Sequence, residues 1–227
     1  MFGYALHWSD KPFYELVKAG LHPSYVGLFS LWPEIVSLAR SCHPIGIINA
    51  GDPMQAADDI MHLGGIYHQY HGGGIQTASG VAAGIAEALD PEATVESVVR
   101  EVLRPLPETV RGEFEEVLEI THRSPDLREL RKTLNERFAE LYGARKSSAE
   151  EVVSRGLAIF VKTNGDVKDA ILWGANFARD TDCTAAVAGG IAGAYAGAEG
   201  IPADWIRKVD EATAHNQKIT VCTRTLE

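Results

Sequence analysis

Near the C-terminal end of the sequence, two aspartates separated by one residue lie in the run RDTDCT at residues 179–184. Carboxylates at this spacing, Asp180 and Asp182, can bind a hard divalent cation, and the Thr181 hydroxyl can add a further oxygen ligand. Aspartate is also favoured at helix N-termini, where its side chain accepts hydrogen bonds from unpaired backbone amides. The motif therefore leaves two interpretations open, a helix cap and a metal site.

A helix rich in alanine and glycine is predicted to follow the aspartates directly. Gly189, Gly193 and Gly197 recur every four residues, so they lie along one face of that helix. Glycine costs about 1 kcal/mol relative to alanine inside a helix, so its repetition indicates close packing against neighbouring helices. Two carboxylates with a tightly packed helix behind them favour a metal site more than either feature alone. The alternative interpretation is a buried core helix that has no functional role.

Histidines surround a glycine-rich break at residues 72–74. His68 and His71 have the i, i+3 spacing that can bring two imidazoles together at a zinc ion. No nearby cysteine or carboxylate completes a zinc site, so a structural or ligand-lining role is favoured for both. The three glycines lack the Lys-Ser/Thr pair that follows a phosphate-binding loop.

The composition excludes several classes of protein. The chain has 227 residues, and its 45% hydrophobic residues are typical of a globular domain. Its formal net charge of -10 argues against a nucleic-acid partner. The alanine- and glycine-rich run at residues 185–198 is too short and too weakly apolar to span a membrane. Three cysteines without paired spacing and the lack of a signal-peptide pattern predict a cytoplasmic protein.

Helical signals dominate the chain and predict an all-α fold with short loops. Asp166 is predicted to cap one helix, and Ser148-x-x-Glu151 fits a capping box at the start of another. Residues 45–53 are predicted to form an extended loop. The predicted helices cover residues 33–40, 54–70 with a break at 64–65, 75–89, 91–103, 108–120, 125–142, 148–162, 167–175 and 182–200, and a last helix contains Trp205.

Two segments together resemble the ADP-ribosylglycohydrolase family, which includes the dinitrogenase reductase-activating glycohydrolases. One segment is GANFARDTDCTAA at residues 174–186, followed by spaced glycines and IPxxW; the other is PIGIINAGDP at residues 44–53, followed by the glycine-rich break. The resemblance implies a compact multi-helix all-α fold. It also implies a binuclear Mg²⁺ or Mn²⁺ centre beside the ribose of ADP-ribose, where water cleaves the bond at the anomeric carbon.

The resemblance assigns roles to residues around the aspartate pair. Asp180 and Asp182 match the two C-terminal aspartates that bind the metal ions. Cys183 stands where the family usually has threonine, and a thiol is a poor ligand for hard cations. Arg179 replaces a frequent glycine, and we expect it to contact a substrate phosphate or to pair with an aspartate.

His71 and Gly72 are compatible with a loop that lines the substrate pocket in that family. The family pattern also has an N-terminal glycine-rich helix and a Thr-Asp-Asp segment, which supply further metal ligands and an acidic catalytic residue. The adjacent acidic pair Asp58-Asp59 follows an alanine in the middle of a predicted helix, which indicates a solvated helix face. We therefore expect residues 1–227 to form a single all-α domain that corresponds to the C-terminal portion of a longer family fold.

The resulting hypothesis is a metal-dependent hydrolase that cleaves an N- or O-glycosidic bond of ADP-ribose or a related ribosyl group. Asp180 and Asp182 would bind the metal, and no residue is assigned as the catalytic acid or base. Two alternatives remain. The chain is a non-catalytic ADP-ribose-binding or structural member of the family, or its site is completed by another chain.

Overall fold

A computed structural model describes residues 11–30, 32–69, 72–139 and 147–214, and within these ranges the regular elements are all helices. The all-α prediction is therefore confirmed. No helix in these ranges combines the length and the hydrophobicity that crossing a bilayer requires. The helices are α1 (Lys11–Lys18), α2 (Pro23–Val26), α3 (His43–Ile48), α4 (Pro53–Leu63), α5 (Gly73–Ala88), α6 (Val95–Leu103), α7 (Glu108–Arg123), α8 (Leu127–Arg137), α9 (Ala149–Lys162), α10 (Val167–Asn176), α11 (Thr181–Ala196) and α12 (Ala203–Ala214).

Helices α5 and α9 form the centre of the core. The sequence of α5, GGIQTASGVAAGIAEA, carries mostly small or apolar side chains, and the helix is buried along nearly its whole length. It packs against α3, α4, α6, α9 and α11. Helix α9 is buried from its first residue to Phe160, apart from the half-buried Glu150, and packs against α6, α7, α10 and α11 as well as α5. Because both helices are buried on nearly all sides, they lie inside the bundle and provide the surface against which the other helices pack.

Close packing of α10 against α11 explains two of the glycines in this region. A Cβ atom on Gly174 would lie 2.5 Å from a backbone Cα of α11, and one on Gly189 would lie 2.7 Å from an isoleucine of α10. At Gly193 the nearest atom would be 3.8 Å away, an ordinary contact. Gly197 has a φ of +69° and ends α11. The predicted glycine face is thus needed for close packing at Gly189 but not at Gly193.

Residues 33–40 form a series of turns, so the predicted helix there is wrong. The backbone of this segment bonds to a distant part of the chain, because the amide of Val36 donates to the carbonyl of Ser147 at 3.0 Å. An isolated antiparallel bridge also joins Ile35 to Ser148. This bridge connects the segment to the start of α9.

Residues 45–53 contain most of α3, so the predicted extended loop is wrong. Pro44 lies in the first turn of α3, where a proline is compatible with the helix. Gly46 lies against α5 so closely that a Cβ atom there would be 2.7 Å from the side chain of Ile85. Contact with the central helix therefore stabilises a helical turn that the local sequence signals only weakly.

Helix α6 begins at Val95, later than the predicted start at residue 91. Thr94 and Ser97 form a capping box, in which each side chain accepts a hydrogen bond from the backbone amide of the other residue at 3.0 Å. The side chain of Asp90 accepts a hydrogen bond from the amide of Glu92 at 2.8 Å. That bond closes a turn before the helix, which explains the later start.

Candidate metal centre

One cluster of acidic and thiol side chains with the spacing of a metal site lies at the N-terminus of α11, among the residues that the structure describes. Single ligand atoms of Asp180, Asp182 and Cys183 lie within 4.8 Å of one another. Asp180 is half-buried, Asp182 is exposed and Cys183 is buried. The structure therefore places both predicted metal ligands at one site, open to solvent on the Asp182 side.

Asp180 occupies the N-cap position of α11 without a well-formed side-chain capping hydrogen bond. Its backbone carbonyl accepts hydrogen bonds from the amide of Thr184 at 3.0 Å and from the Thr184 hydroxyl at 2.8 Å. The helix begins here through main-chain bonds, and the capping interpretation accounts for only part of the role of Asp180. Its carboxylate can therefore also serve as a ligand.

The carboxyl group of Asp180 and the thiol of Cys183 differ in protonation state. Burial acts to raise the pKa of Asp180, but hydrogen bonds from the Ser147 side chain and from Cys183 outweigh it, so the pKa lies below its usual range. Burial raises the pKa of Cys183 to about 12, and the charge of Asp180 adds to this effect. At neutral pH the carboxylate is charged and the thiol is neutral.

This donor set fits a hard divalent cation. Sulfur is a soft ligand that hard divalent cations bind poorly, so the two carboxylates are the effective ligands. Mg²⁺ is commonly held by one or two carboxylates while water and substrate oxygens complete its shell. Asp180 and Asp182 would hold such an ion.

Arg179, directly before the cluster, forms an ion pair through its Nε with Glu151 of α9. The Glu151 side chain is 2% exposed, whereas that of Arg179 is 34% exposed. Glu151 also pairs with Arg155 at 3.2 Å. Arg179 thus pairs with a glutamate, whereas an aspartate was expected as its acidic partner. Its contact with a substrate phosphate stays a prediction.

The backbone between α10 and α11 is strained. Ala178 has a φ of +82° and Arg179 a φ of +62°, so two consecutive residues with side chains occupy the left-handed region. This conformation costs about 1–2 kcal/mol per residue. Such strain persists only where the surroundings hold it, and it concentrates at functional sites. Here it turns the chain from the end of α10 into the first turn of α11, which carries the aspartates.

The sequence profile of the ADP-ribosylglycohydrolases matches residues 35–226, a range that includes α3 to α12 and the aspartate cluster. The chain belongs to the ADP-ribosylglycohydrolase family. A curated relative, the ADP-ribosylarginine hydrolase Tri1 of Pseudomonas putida (strain GB-1), is 44% identical over 59 residues. That match covers 26% of this chain and only 16% of the relative. The family resemblance expected from the two sequence segments is confirmed.

In this ADP-ribosylglycohydrolase chain, Gly72 lies at the N-cap of α5, and His71 lies outside the described residues. A Cβ atom on Gly72 would be 2.4 Å from the carbonyl oxygen of Pro33, and one on Gly73 would overlap the carboxylate of Glu150. The glycines thus allow the start of α5 to pack against the 33–40 segment and α9. The substrate-binding role of His71 and Gly72 stays a prediction.

His68 lies outside the aspartate cluster and is buried, with 1% of its surface exposed. Burial lowers its pKa to about 4, and the backbone of Trp32 opposes this shift only partly. The imidazole is therefore neutral at pH 7. Within the described ranges it joins no group of metal-ligating side chains, and its structural or ligand-lining role stays a prediction.

Three residues near the aspartate cluster are not assigned to the site by the sequence analysis. Ser147 hydrogen-bonds Asp180, Glu151 pairs with the arginine before it, and the charge of Arg40 acts on the neighbouring thiol. They come from distant parts of the chain, and no local pattern connects them to the aspartates. The sequence pattern places Glu151 in a predicted capping box instead.

That capping box is wrong, although a helix does begin at this point. Ser148 is the N-cap residue of α9, but its side chain makes no capping hydrogen bond. Its Oγ donates instead to Oε2 of Glu150 at 2.5 Å. Glu151 is directed towards two arginines rather than back to the N-cap amide, which explains why the box does not form.

Proposed function

We propose that this chain is a metal-dependent hydrolase that removes ADP-ribose, or a related ribosyl group, by cleaving an N- or O-glycosidic bond. The observation that carries the proposal is the convergence of Asp180 and Asp182 at the N-terminus of α11 in a member of the ADP-ribosylglycohydrolase family. A bound Mg²⁺ or Mn²⁺, as a single ion or a binuclear pair, supplies a Lewis acid for water and for the ribose diol.

The residues of the chain have distinct parts in this proposal. The charged Asp180 is held by Ser147 and anchors the cation from the protein side. Asp182 is exposed and would be the second ligand of the cation, on the side where a substrate would enter. Together with a bound cation that offsets the two aspartates, the positive end of the α11 dipole and the guanidinium of Arg40 would favour an anionic diphosphate locally, despite the net charge of -10.

The test combines cation binding with turnover. ADP-ribosylarginine is the first substrate to try, because the Pseudomonas relative is named for its hydrolysis. Asp182→Asn should weaken Mn²⁺ binding at least about tenfold and abolish ADP-ribose release, since one of two charged ligands is lost. Asp58→Asn, on the exposed face of α4, is the matched control and should change neither. A wild-type chain that neither binds Mn²⁺ nor releases ADP-ribose would contradict the proposal.

A non-catalytic ADP-ribose-binding member is the second candidate, and the neutral thiol of Cys183 beside the aspartates favours it. Calorimetry with ADP-ribose separates the two candidates. Binding of ADP-ribose without hydrolysis of any ribosyl substrate supports the binding protein. Activity that appears only when a co-purifying chain is added supports a site completed in trans.

A further inference from the structure

The contact between Glu151 and Arg179 lies beside the proposed cation site, and Arg179 adjoins that site in the sequence. Arg179 immediately precedes Asp180, and both it and Ala178 have positive φ angles. The direction in which the chain leaves this turn sets where the carboxylates of Asp180 and Asp182 lie. A group that holds Arg179 therefore also orients the two aspartates.

Glu151 is suited to hold Arg179 because it is itself held firmly. Its side chain is 2% exposed and pairs at 3.2 Å with Arg155, whose side chain is 3% exposed. Nη1 of Arg155 donates in turn to Oδ1 of Asn135 at 2.8 Å, which connects the pair to α8. A buried carboxylate that is paired with two arginines stays in place, because breaking a buried ion pair is strongly destabilising. The first turn of α9 thus provides a rigid reference point for the chain before α11.

We propose that Glu151 is a positioning residue of the cation site, which holds Arg179 in the left-handed turn and thereby directs Asp180 and Asp182 towards a shared cation. The inference rests on the proposed function, since it requires that the cluster binds a divalent cation. Glu151 contacts neither the cation nor the substrate in this role. It acts through Arg179 alone.

Four proteins test the proposal: the wild type, Glu151→Gln, Arg179→Gly and the double variant, each titrated with Mn²⁺ and followed by the loss of the free-ion electron paramagnetic resonance signal. Glu151→Gln alone should weaken Mn²⁺ binding about tenfold, the typical cost of losing a group that orients a ligand. In the Arg179→Gly background it should weaken binding less than about twofold, because glycine adopts a positive φ without an anchor. Arg179→Gly alone should bind within about twofold of wild type for the same reason.

An equal loss of affinity from Glu151→Gln in both backgrounds would overturn the proposal, because it would show that Glu151 supports only the fold. An unchanged affinity in both would overturn it as well. If the wild type itself binds no Mn²⁺, the proposed function fails together with this inference, and that result is distinct from an equal loss in a chain that binds.

Two further variants guard against loss of folding. Glu151→Asp keeps a charge beside Arg155 but shortens the reach to Arg179. If Glu151→Gln does not fold, Glu151→Asp takes its place among the four proteins, and the same changes in Mn²⁺ affinity are expected. Glu116→Gln removes the ion pair that Glu116 forms with Arg137 at 2.6 Å on α7 and α8. It should leave Mn²⁺ affinity unchanged, and thermal unfolding of every variant confirms that the compared proteins are folded.

Discussion

Cys183 differs chemically from the two carboxylates beside it. The neutral thiol is a soft group, whereas Asp180 and Asp182 suit hard cations. We expect Cys183→Thr to raise Mg²⁺ affinity by roughly threefold or more, since a hydroxyl oxygen of similar size can join the shell. Isothermal titration calorimetry measures the Mg²⁺ affinity. Cys42→Ala, which alters a buried cysteine of the core outside the cluster, is the control, and an unchanged or weaker affinity for Cys183→Thr would contradict the expectation.

Among the described residues other than glycine, Ala178 has the largest positive φ, +82°, which disfavours its side chain. Ala178→Gly should stabilise the chain by about 0.5–1 kcal/mol, because relief of the strain exceeds the added freedom of the unfolded chain. Urea denaturation gives the free energy of unfolding. Ala175→Gly, three residues earlier and within α10, should instead destabilise the chain by about 0.5–1 kcal/mol. A loss of stability in both variants would show that position 178 is not strained.

Helices α10 and α11 depend on glycine for their close approach. Gly174→Ala would bring a Cβ atom to 2.5 Å from the backbone of α11, so we expect it to cost about 1–3 kcal/mol and to weaken Mn²⁺ binding. Gly193→Ala, with its nearest neighbour at 3.8 Å, should stabilise α11 by up to about 1 kcal/mol. Thermal unfolding distinguishes the two. Equal effects of both substitutions would mean that helix propensity alone governs these positions.

The elements that were predicted correctly carry their signals locally. Asp166 caps α10 by accepting a hydrogen bond from the amide of Asp169 at 2.8 Å, as its position in the sequence indicated. The segments at 33–40 and 45–53 were predicted wrongly because contacts with distant helices decide their conformation. A short apolar run contains no information about which distant backbone will accept its amides.

The candidate site likewise contains residues that a local sequence pattern reveals and residues that only the fold brings together. Asp180 and Asp182 are close in sequence, so their pattern could be detected directly. Ser147 and Glu151 approach them from the start of α9, and Arg40 from a segment before α3. These three depend on how the helices pack, which a local motif cannot indicate. The pair of candidate metal ligands could therefore be singled out from the sequence, whereas the residues that hold and surround them required the fold.

At the scale of the whole molecule, burial of His68 links stability to pH. The unfolded chain binds a proton at this imidazole below about pH 6.5, whereas the folded chain does so only near pH 4, so acid favours unfolding. Between pH 7 and pH 4.5 we expect wild type to lose about 2 kcal/mol more stability than His68→Leu. Urea denaturation at both pH values measures the difference.

The control for this experiment is His62→Leu, which changes a histidine whose side chain is 75% exposed. It should lose as much stability in acid as wild type does. Protonation of carboxylates elsewhere affects all three proteins equally and cancels in the comparison. Parallel stability curves for wild type and His68→Leu would show that His68 is not the acid-sensitive group.

The bridge between Ile35 and Ser148 has a consequence for the order of folding. It joins residues roughly 110 positions apart, and closing so long a loop is entropically costly, so such contacts form late. The start of α9 that it secures also carries Ser147 and Glu151. We therefore expect the aspartates to acquire their final arrangement only after the helical core has assembled. Mn²⁺ would then not nucleate folding, and its capture during refolding would mark the last kinetic phase.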